Sequence, residues 1–534
     1  MPSHEYDALV ETLLSNRTVE RIWERDPTVW GADRGAASSI RNRLGWLDTP
    51  RAMRAHVDQI KQVAQQVRDE RFRTVYLLGM GGSSLCAEVL RAVFGVAASF
   101  PDLVVLDTTD DETLSSIASR LDHEHSLFIV ASKSGTTIEI ALMERFFWRL
   151  MQDAVGGRAG RHFLAITDPG TALEALARER GYRAAFLNPP DIGGRFSALS
   201  LFGLVPAALI GAPIDDFLEA GAAMAEGCRG PRRTNAGLEL GAFMGAAGSS
   251  GRDKLTVLLP HSLASLGLWI EQLVAESTGK RGRGLLPVVD EPPGGAYGRD
   301  RAFVVVETED ERVDDTELDA LEKAGHPFFR IRTRHDALGT EFFRWEFATA
   351  VAGAALQLNP FDEPNVTEAK DRTKALLTAF ERDRRLPDER VARPDQVRTL
   401  VESMRDGDYF AVLSYLPPES PTLGVIDELR AAIRSRGGYA TTCGIGPRYL
   451  HSTGQYHKGG PATGVFLMIT ADDRTTTQIP DAAYSFSILK RAQALGDYQA
   501  LTAHNRRVAR VHLTEADHAR SLETLIAEAL GAAH

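Results

Sequence analysis

Four apolar residues running straight into a glycine turn, Val75-Tyr76-Leu77-Leu78-Gly79-Met80-Gly81-Gly82-Ser83-Ser84, constrain this chain more than any other stretch. Leu85, Val89, Leu90 and Val93 follow at helical spacing, so the segment reads strand, turn, helix. Such a turn aims unpaired backbone N–H groups at one point, the helix dipole adds to them, and an anion is the natural occupant. About fifty residues on, Leu127-Phe128-Ile129-Val130 reads as a second buried strand. It runs into Ser132-Lys133-Ser134-Gly135-Thr136-Thr137, which places four hydroxyls and a lysine at another strand end. The first turn lacks both the terminal Gly-Lys-Ser/Thr of a nucleotide P-loop and the full dinucleotide fingerprint. Two such turns on one sheet point to a compact acidic group, a phosphate or sulfonate, on a small molecule.

The same alternation recurs along the chain. Leu103 to Leu106 and Phe163 to Ile166 complete a first series of strands separated by helical stretches up to about Gly211. A second series runs from about 235 to 375, with Leu255 to Leu259, Phe303 to Val306 and Phe328 to Ile331, then a long helix from about Thr340 to Leu356. Strand–helix alternation predicts parallel sheets covered by helices on both faces, with ligands beyond the strands' carboxyl ends. Before the first series, residues 1–70 carry apolar positions at helical intervals, such as Ile60, Val63 and Val67. They predict an antiparallel helical lead-in that covers a sheet or makes a subunit contact. A charge-dense helix and linker from about Asp371 to Arg398 precede a third α/β unit, with Phe410 to Leu413 and Val465 to Ile469 as strands. The expected domains are 1–70, 71–215, 216–375 and 376–534.

At 534 residues the chain exceeds one hydrophobic core. Its formal charge of −11 argues against broad nucleic-acid or anionic-membrane binding, so any anion site must be a local basic pocket. Cys86, Cys228 and Cys443 are widely spaced and odd in number, which predicts a reducing compartment and no metal-ligand set. Met1 to Asp7 shows no basic leader and no apolar run reaches membrane-spanning length, so a cytoplasmic location is expected.

Three further groups carry chemistry. Gly193-Gly194-Arg195-Phe196-Ser197 sets an arginine behind two flexible residues. Ala275-Glu276-Ser277-Thr278-Gly279-Lys280 ends an apolar helix, so Glu276 lies where a carboxylate opposes the helix dipole. Burial there would raise its pKa toward the range of a general base. Asn359-Pro360-Phe361-Asp362-Glu363-Pro364 joins two helices, with Lys370 just inside the second. In the third unit, Gly446 to Gly460 includes His451, His457 and Lys458 and is dense in polar side chains.

Taken in order, these five loops between residues 75 and 370 resemble those of phosphoglucose isomerase, a family of two tandem sugar-isomerase (SIS) domains. The remainder, including His451 to Gly460, resembles the isomerase half of bacterial transaldolase/phosphoglucose isomerase fusions. The implied fold is α/β, with two SIS-type doubly wound parallel sheets, a helical lead-in and a C-terminal α/β extension. The implied activity is cofactor-independent aldose–ketose isomerisation, glucose 6-phosphate to fructose 6-phosphate through a cis-enediolate. By the resemblance, Gly81, Gly82, Ser83, Ser132, Lys133, Ser134, Thr136 and Thr137 hold the substrate's acidic group, far from the reacting carbons. Glu276 moves the proton between C2 and C1, Arg195 stabilises the enediolate, and Lys370 helps open the ring. Neither a metal nor an organic cofactor is required, and a homodimer or higher homo-oligomer is expected.

Two positions depart from the family pattern. Its simple bacterial members carry a ring-opening histidine 21 residues beyond the catalytic glutamate, and this chain has Tyr297 there. His451 or His457, from the same or a neighbouring subunit, is the expected replacement. Glu363 stands where the family has a glutamine near the phosphate. A carboxylate repels a dianion more than a monoanion, which keeps open a sulfoquinovose/sulfofructose isomerase. A non-catalytic SIS sugar-phosphate sensor is the reading from another class. It would need the anion turns but not Glu276, Arg195 and Lys370 together.

Overall fold

The computed structural model describes residues 3–31, 34–293, 295–388 and 390–531. Met1 and Pro2 of the amino-terminal stretch and Glu389 of the charge-dense segment lie outside the described residues. The first sheet comprises β1 (Thr74–Leu78), β2 (Asp102–Leu106), β3 (Ser126–Ala131), β4 (Phe163–Thr167) and β5 (Ala184–Leu187), all parallel, in the order β2-β1-β3-β4-β5. Alternate residues feed two cores: Val75, Leu77, Leu127 and Ile129 enter one, and Tyr76, Leu78, Phe128 and Val130 the other. That is the two-faced burial expected of a parallel sheet. The strand order reverses between β1 and β3, which opens a crevice at their carboxyl ends. Both predicted anion turns flank that crevice.

The second sheet, β6 (Lys254–Leu258), β7 (Leu286–Val288), β8 (Arg301–Glu307) and β9 (Phe328–Arg332), is parallel in the order β7-β6-β8-β9. The third, β10 (Tyr409–Ser414), β11 (Ala440–Ile445), β12 (Gly464–Ala471) and β13 (Arg507–Leu513), repeats that pattern as β11-β10-β12-β13.

The third sheet is not a separate body hung from the other two. Phe410 and Val412 pack on the extension's own helices, but Tyr409, Ala411 and Leu413 share a core with Ala275, Leu286 and Val288 of the second unit. Phe486, Leu489 and Leu495 of the helix Phe486–Ala503 complete the outer core of the first sheet. Trp23 and Trp30 of the amino-terminal region pack on another helix, Trp23 stacking on Phe343 and Phe347 and the Trp30 indole N–H donating to the Ala350 carbonyl at 2.8 Å, while Ile60, Ala64 and Val67 join the core of the first sheet. Among the described residues, no helix is long and apolar enough to cross a membrane.

Candidate active site

Arg195 sits in a short 3-10 turn, Gly194–Phe196, and is only 4% exposed. Trp46 stacks on the neighbouring Phe196 ring, and Phe361 packs against it, which fixes the turn. Every arm of the guanidinium is used. Its Nε donates to Ser277 Oγ at 2.8 Å, and Nη2 donates to the carbonyls of Pro360 at 2.7 Å and Asp362 at 3.0 Å. Nη1 lies 3.1 Å from both Glu276 Oε1 and Glu363 Oε2. A planar fork holding this many acceptors in a dry setting is a rigid positive charge.

Glu276 occupies the last turn of the helix Leu266–Thr278. Its second oxygen accepts from Gln272 Nε2 at 3.2 Å, one helical turn earlier. Burial pushes its carboxyl above the ordinary value, the nearby Glu363 charge adds to that rise, and Arg195 and Lys280 oppose it. The expected burial of Glu276 and the upward shift of its carboxyl are therefore both present. Lys280, just past the helix end, donates to the Asn359 carbonyl at 2.5 Å and to Asp362 at 2.6 Å. Burial first, and the Arg195 charge second, bring its pKa down to about 8.

The glycine turn reaches this cluster directly. A Cβ on Gly82 would lie 1.9 Å from the Gly194 carbonyl, and one on Gly81 would lie 2.7 Å from Gln272 Nε2 and 2.8 Å from the His451 carbonyl. Gly81 also has a φ of +56°, which glycine tolerates best. The turn is thus packed against the Arg195 loop and His451, closer to the charged cluster than a remote handle would be. Beside it, at the end of the neighbouring β3, Ser132 Oγ meets Thr137 Oγ1 at 3.1 Å and Ser134 Oγ meets Thr136 Oγ1 at 2.9 Å. Ser83 is half-buried, while Ser134 and Thr136 are exposed. Lys133 is committed elsewhere: its ammonium pairs with Asp168 and donates to the Pro190 carbonyl at 2.9 Å.

His451 enters from the extension of the same chain, at the end of the turn Arg448–His451 that follows β11. Its carbonyl accepts from Gln272 Nε2 at 2.8 Å, and its ring Nε2 lies 3.0 Å from Glu139 Oε1. Glu139 was not among the sequence candidates. It stands in the first turn of the helix Ile138–Val155, directly after the hydroxyl turn. Burial pushes the Glu139 carboxyl up, but the His451 charge and hydrogen bond, with a smaller effect from Lys370, outweigh it and hold the pKa below the ordinary value. Lys370 itself is exposed, on the helix Val366–Asp383.

His457 is not brought to this cluster. It is buried beneath the third sheet, 2.9 Å from the Tyr409 hydroxyl, with its ring against Phe466. Burial, then the charges of Lys458 and Arg506, drive its pKa well below the usual value, which fits a neutral packing histidine. Tyr297 is also elsewhere, packed against Phe303 and His326 with the Arg434 guanidinium over its ring. Gln272, Ser277 and Lys280 join the cluster although sequence reasoning gave them no role.

The sequence profile of the phosphoglucose isomerase family matches residues 16–284. A glucose-6-phosphate isomerase of Carboxydothermus hydrogenoformans is 28% identical over 398 residues, 63% of this chain and 85% of its own. One from Heliobacterium modesticaldum is 30% identical over 421 residues, 67% of this chain and 92% of its own. Among solved structures, a Thermus thermophilus protein described as hypothetical superposes with a TM-score of 0.59 at 23% identity, over 69% of this chain and 96% of its own. A glucose-6-phosphate isomerase from Chlamydia trachomatis superposes with a TM-score of 0.56 at 17% identity, over 70% of this chain and 86% of its own. At these identities the two structures speak to the fold alone.

Proposed function

Since the chain belongs to the phosphoglucose isomerase family, we propose that it interconverts glucose 6-phosphate and fructose 6-phosphate through a cis-enediolate, on the residues of the cluster above. Glu276 removes the C2 proton of the open-chain aldose and returns it to C1. Arg195, held beside it, stabilises the negative charge that develops on the oxygens between those steps. The hydroxyls of Ser83, Ser132, Ser134, Thr136 and Thr137, with the Gly81-Gly82 backbone, bind the acidic group. Binding energy realised there orients C1 and C2. His451 and Lys370 open the sugar ring, moving a proton from the C1 hydroxyl to the ring oxygen, and Glu139 holds His451 in place.

The observation that carries this reading is the 3.1 Å approach of Arg195 to a buried Glu276 whose carboxyl is raised. A module that only binds a sugar phosphate needs neither group.

One feature supports a second substrate. Glu363 is 38% exposed at its side chain beside Arg195, and Lys133 is engaged by Asp168, so the anion pocket is less positive than its residues suggest. A sulfonate's single charge suits that pocket better than a phosphate dianion. Exchange of the C1 proton in deuterated water, with fructose 6-phosphate and sulfofructose offered separately, tests both readings. Exchange is expected with the wild type and lost in Glu276→Gln. Exchange that survives the substitution would remove Glu276 as the base, and exchange with sulfofructose alone would move the substrate to the sulfosugar.

A further inference from the structure

The geometry points to Gln493, on the extension's helix Phe486–Ala503, as a positioning residue that aims the Glu139 carboxylate at His451; this rests on the ring-opening role proposed for His451. Gln493 Nε2 donates to Glu139 Oε1 at 2.8 Å, the same oxygen that His451 Nε2 meets at 3.0 Å. On its other side the Gln493 amide oxygen accepts from Thr109 Oγ1 at 2.7 Å. The chain Thr109, Gln493, Glu139, His451 is continuous and dry: Thr109 is 0% exposed, Gln493 2% and Glu139 4%.

Chemistry fixes the direction of each link. An ionised carboxylate only accepts, so the amide N–H must face Glu139 and the amide oxygen must face the Thr109 hydroxyl, which donates. The amide is therefore locked in one orientation. It holds one Glu139 oxygen on the line to the imidazole instead of letting the carboxylate turn within its pocket. The helix that carries Gln493 is itself anchored one turn earlier, where Lys490 Nζ pairs with Asp110 Oδ1 at 2.6 Å. Two consecutive residues of the loop after β2, Thr109 and Asp110, thus set the height of that helix against the site.

Satisfying buried polar groups is a structural task that many side chains can do. Aiming one oxygen at a catalytic histidine has a separate signature, because it affects only the step that histidine performs. The test compares cyclic glucose 6-phosphate with 4,5-dideoxyglucose 6-phosphate, which lacks both ring-closing hydroxyls and stays open. In Gln493→Met, which keeps the length and volume but not the amide, kcat on the cyclic substrate is expected to fall about tenfold, a part of the roughly 10²–10⁴-fold that a positioned acid–base group supplies. KM on that substrate and C2 exchange from the acyclic one are expected to hold at wild-type values. Thr109→Val should act in the same direction, and Thr109→Ser, which keeps the hydroxyl, should restore the wild-type split. An equal fall on both substrates, or no fall on the cyclic one while His451→Ala lowers it, overturns the role of Gln493. Should His451→Ala leave the cyclic rate unchanged, the ring-opening reading fails first, which is a separate outcome.

Discussion

Glu276 and Glu363 share one guanidinium nitrogen, each 3.1 Å from Arg195 Nη1, and with Glu276 as the proposed base that sharing is expected to set the acid limit of the site. Glu363 raises the Glu276 carboxyl by its charge and draws on the cation that would lower it. Glu363→Gln removes both effects, so the Glu276 pKa must fall. Because the base works only when ionised, the acid limb of the pH–rate profile is expected to move down by about one pH unit, the order of removing one nearby like charge. The same variant should lower KM for glucose 6-phosphate more than for sulfofructose, since the dianion gains more from losing a carboxylate. An alkaline limit is expected from a different group. Lys280, with a pKa near 8, holds Asp362 and the Asn359 carbonyl of the loop that presents Glu363. Raising the pH through 8 removes its charge and frees that loop, so a falling limb is expected there. Lys280→Arg, charged throughout, should carry the limb upward by more than one pH unit in the same profile. Glu276 was legible in the sequence because a carboxylate in a last helical turn needs a reason. Glu139 was not, because an acid in a first turn already has one in the helix dipole.

Between elements, the decisive joints are turns that touch. Gly82 packs so tightly on Gly194 that a methyl group there would meet the Gly194 carbonyl at 1.9 Å. Gly82→Ala must separate the anion turn from the Arg195 turn, and a shift of that size is expected to lower kcat/KM about a hundredfold while the circular dichroism of the fold persists. The turn that bears His451 is pinned at its other end: Arg448 makes a two-pronged pair with Asp107 at the end of β2, at 2.7 and 2.8 Å. Asp107 is 4% exposed at its side chain and Arg448 27%. Arg448→Met strands a nearly buried carboxylate, at a cost of about 2 kcal/mol once the partial exposure of the arginine is discounted. Denaturant unfolding would read that loss. Strands β1, β3, β6 and β10 were legible as apolar runs. The strands missed from sequence were β5, β7, β11 and β13. β7 is three residues with a central proline, Leu286-Pro287-Val288. β13 interrupts its apolar residues with Arg507, Arg510 and His512 at a sheet edge, and four of the six residues of β11 are threonine, cysteine or glycine. Where burial is one-sided or brief, the apolar signal falls below what a single sequence can display.

At the scale of the molecule, the two tandem sheets of the family's SIS architecture carry Glu276, Arg195 and the anion turns, and the extension closes the site over them. It supplies His451 in the same chain, seats it against Gln272 of the second unit and Glu139 of the first, and buries its own sheet on Leu286 and Val288. That the extension was dense in polar side chains was visible in sequence; that it would serve its own chain was not, because loop proximity across three sheets leaves no periodic trace. This arrangement has a consequence for any assembly the chain forms. A site built across two subunits can be restored by mixing chains that lack different members: random pairing of two inactive variants in a dimer regenerates about a quarter of the sites. A site built within one chain cannot be restored that way. Glu276→Gln and His451→Ala, each purified, then mixed, unfolded together and refolded, are therefore expected to show no more activity on cyclic glucose 6-phosphate than the sum of the separate variants. Sedimentation of the refolded mixture would establish whether subunits had exchanged. Recovery toward a quarter of the wild-type rate would mean that His451 works in a neighbouring chain.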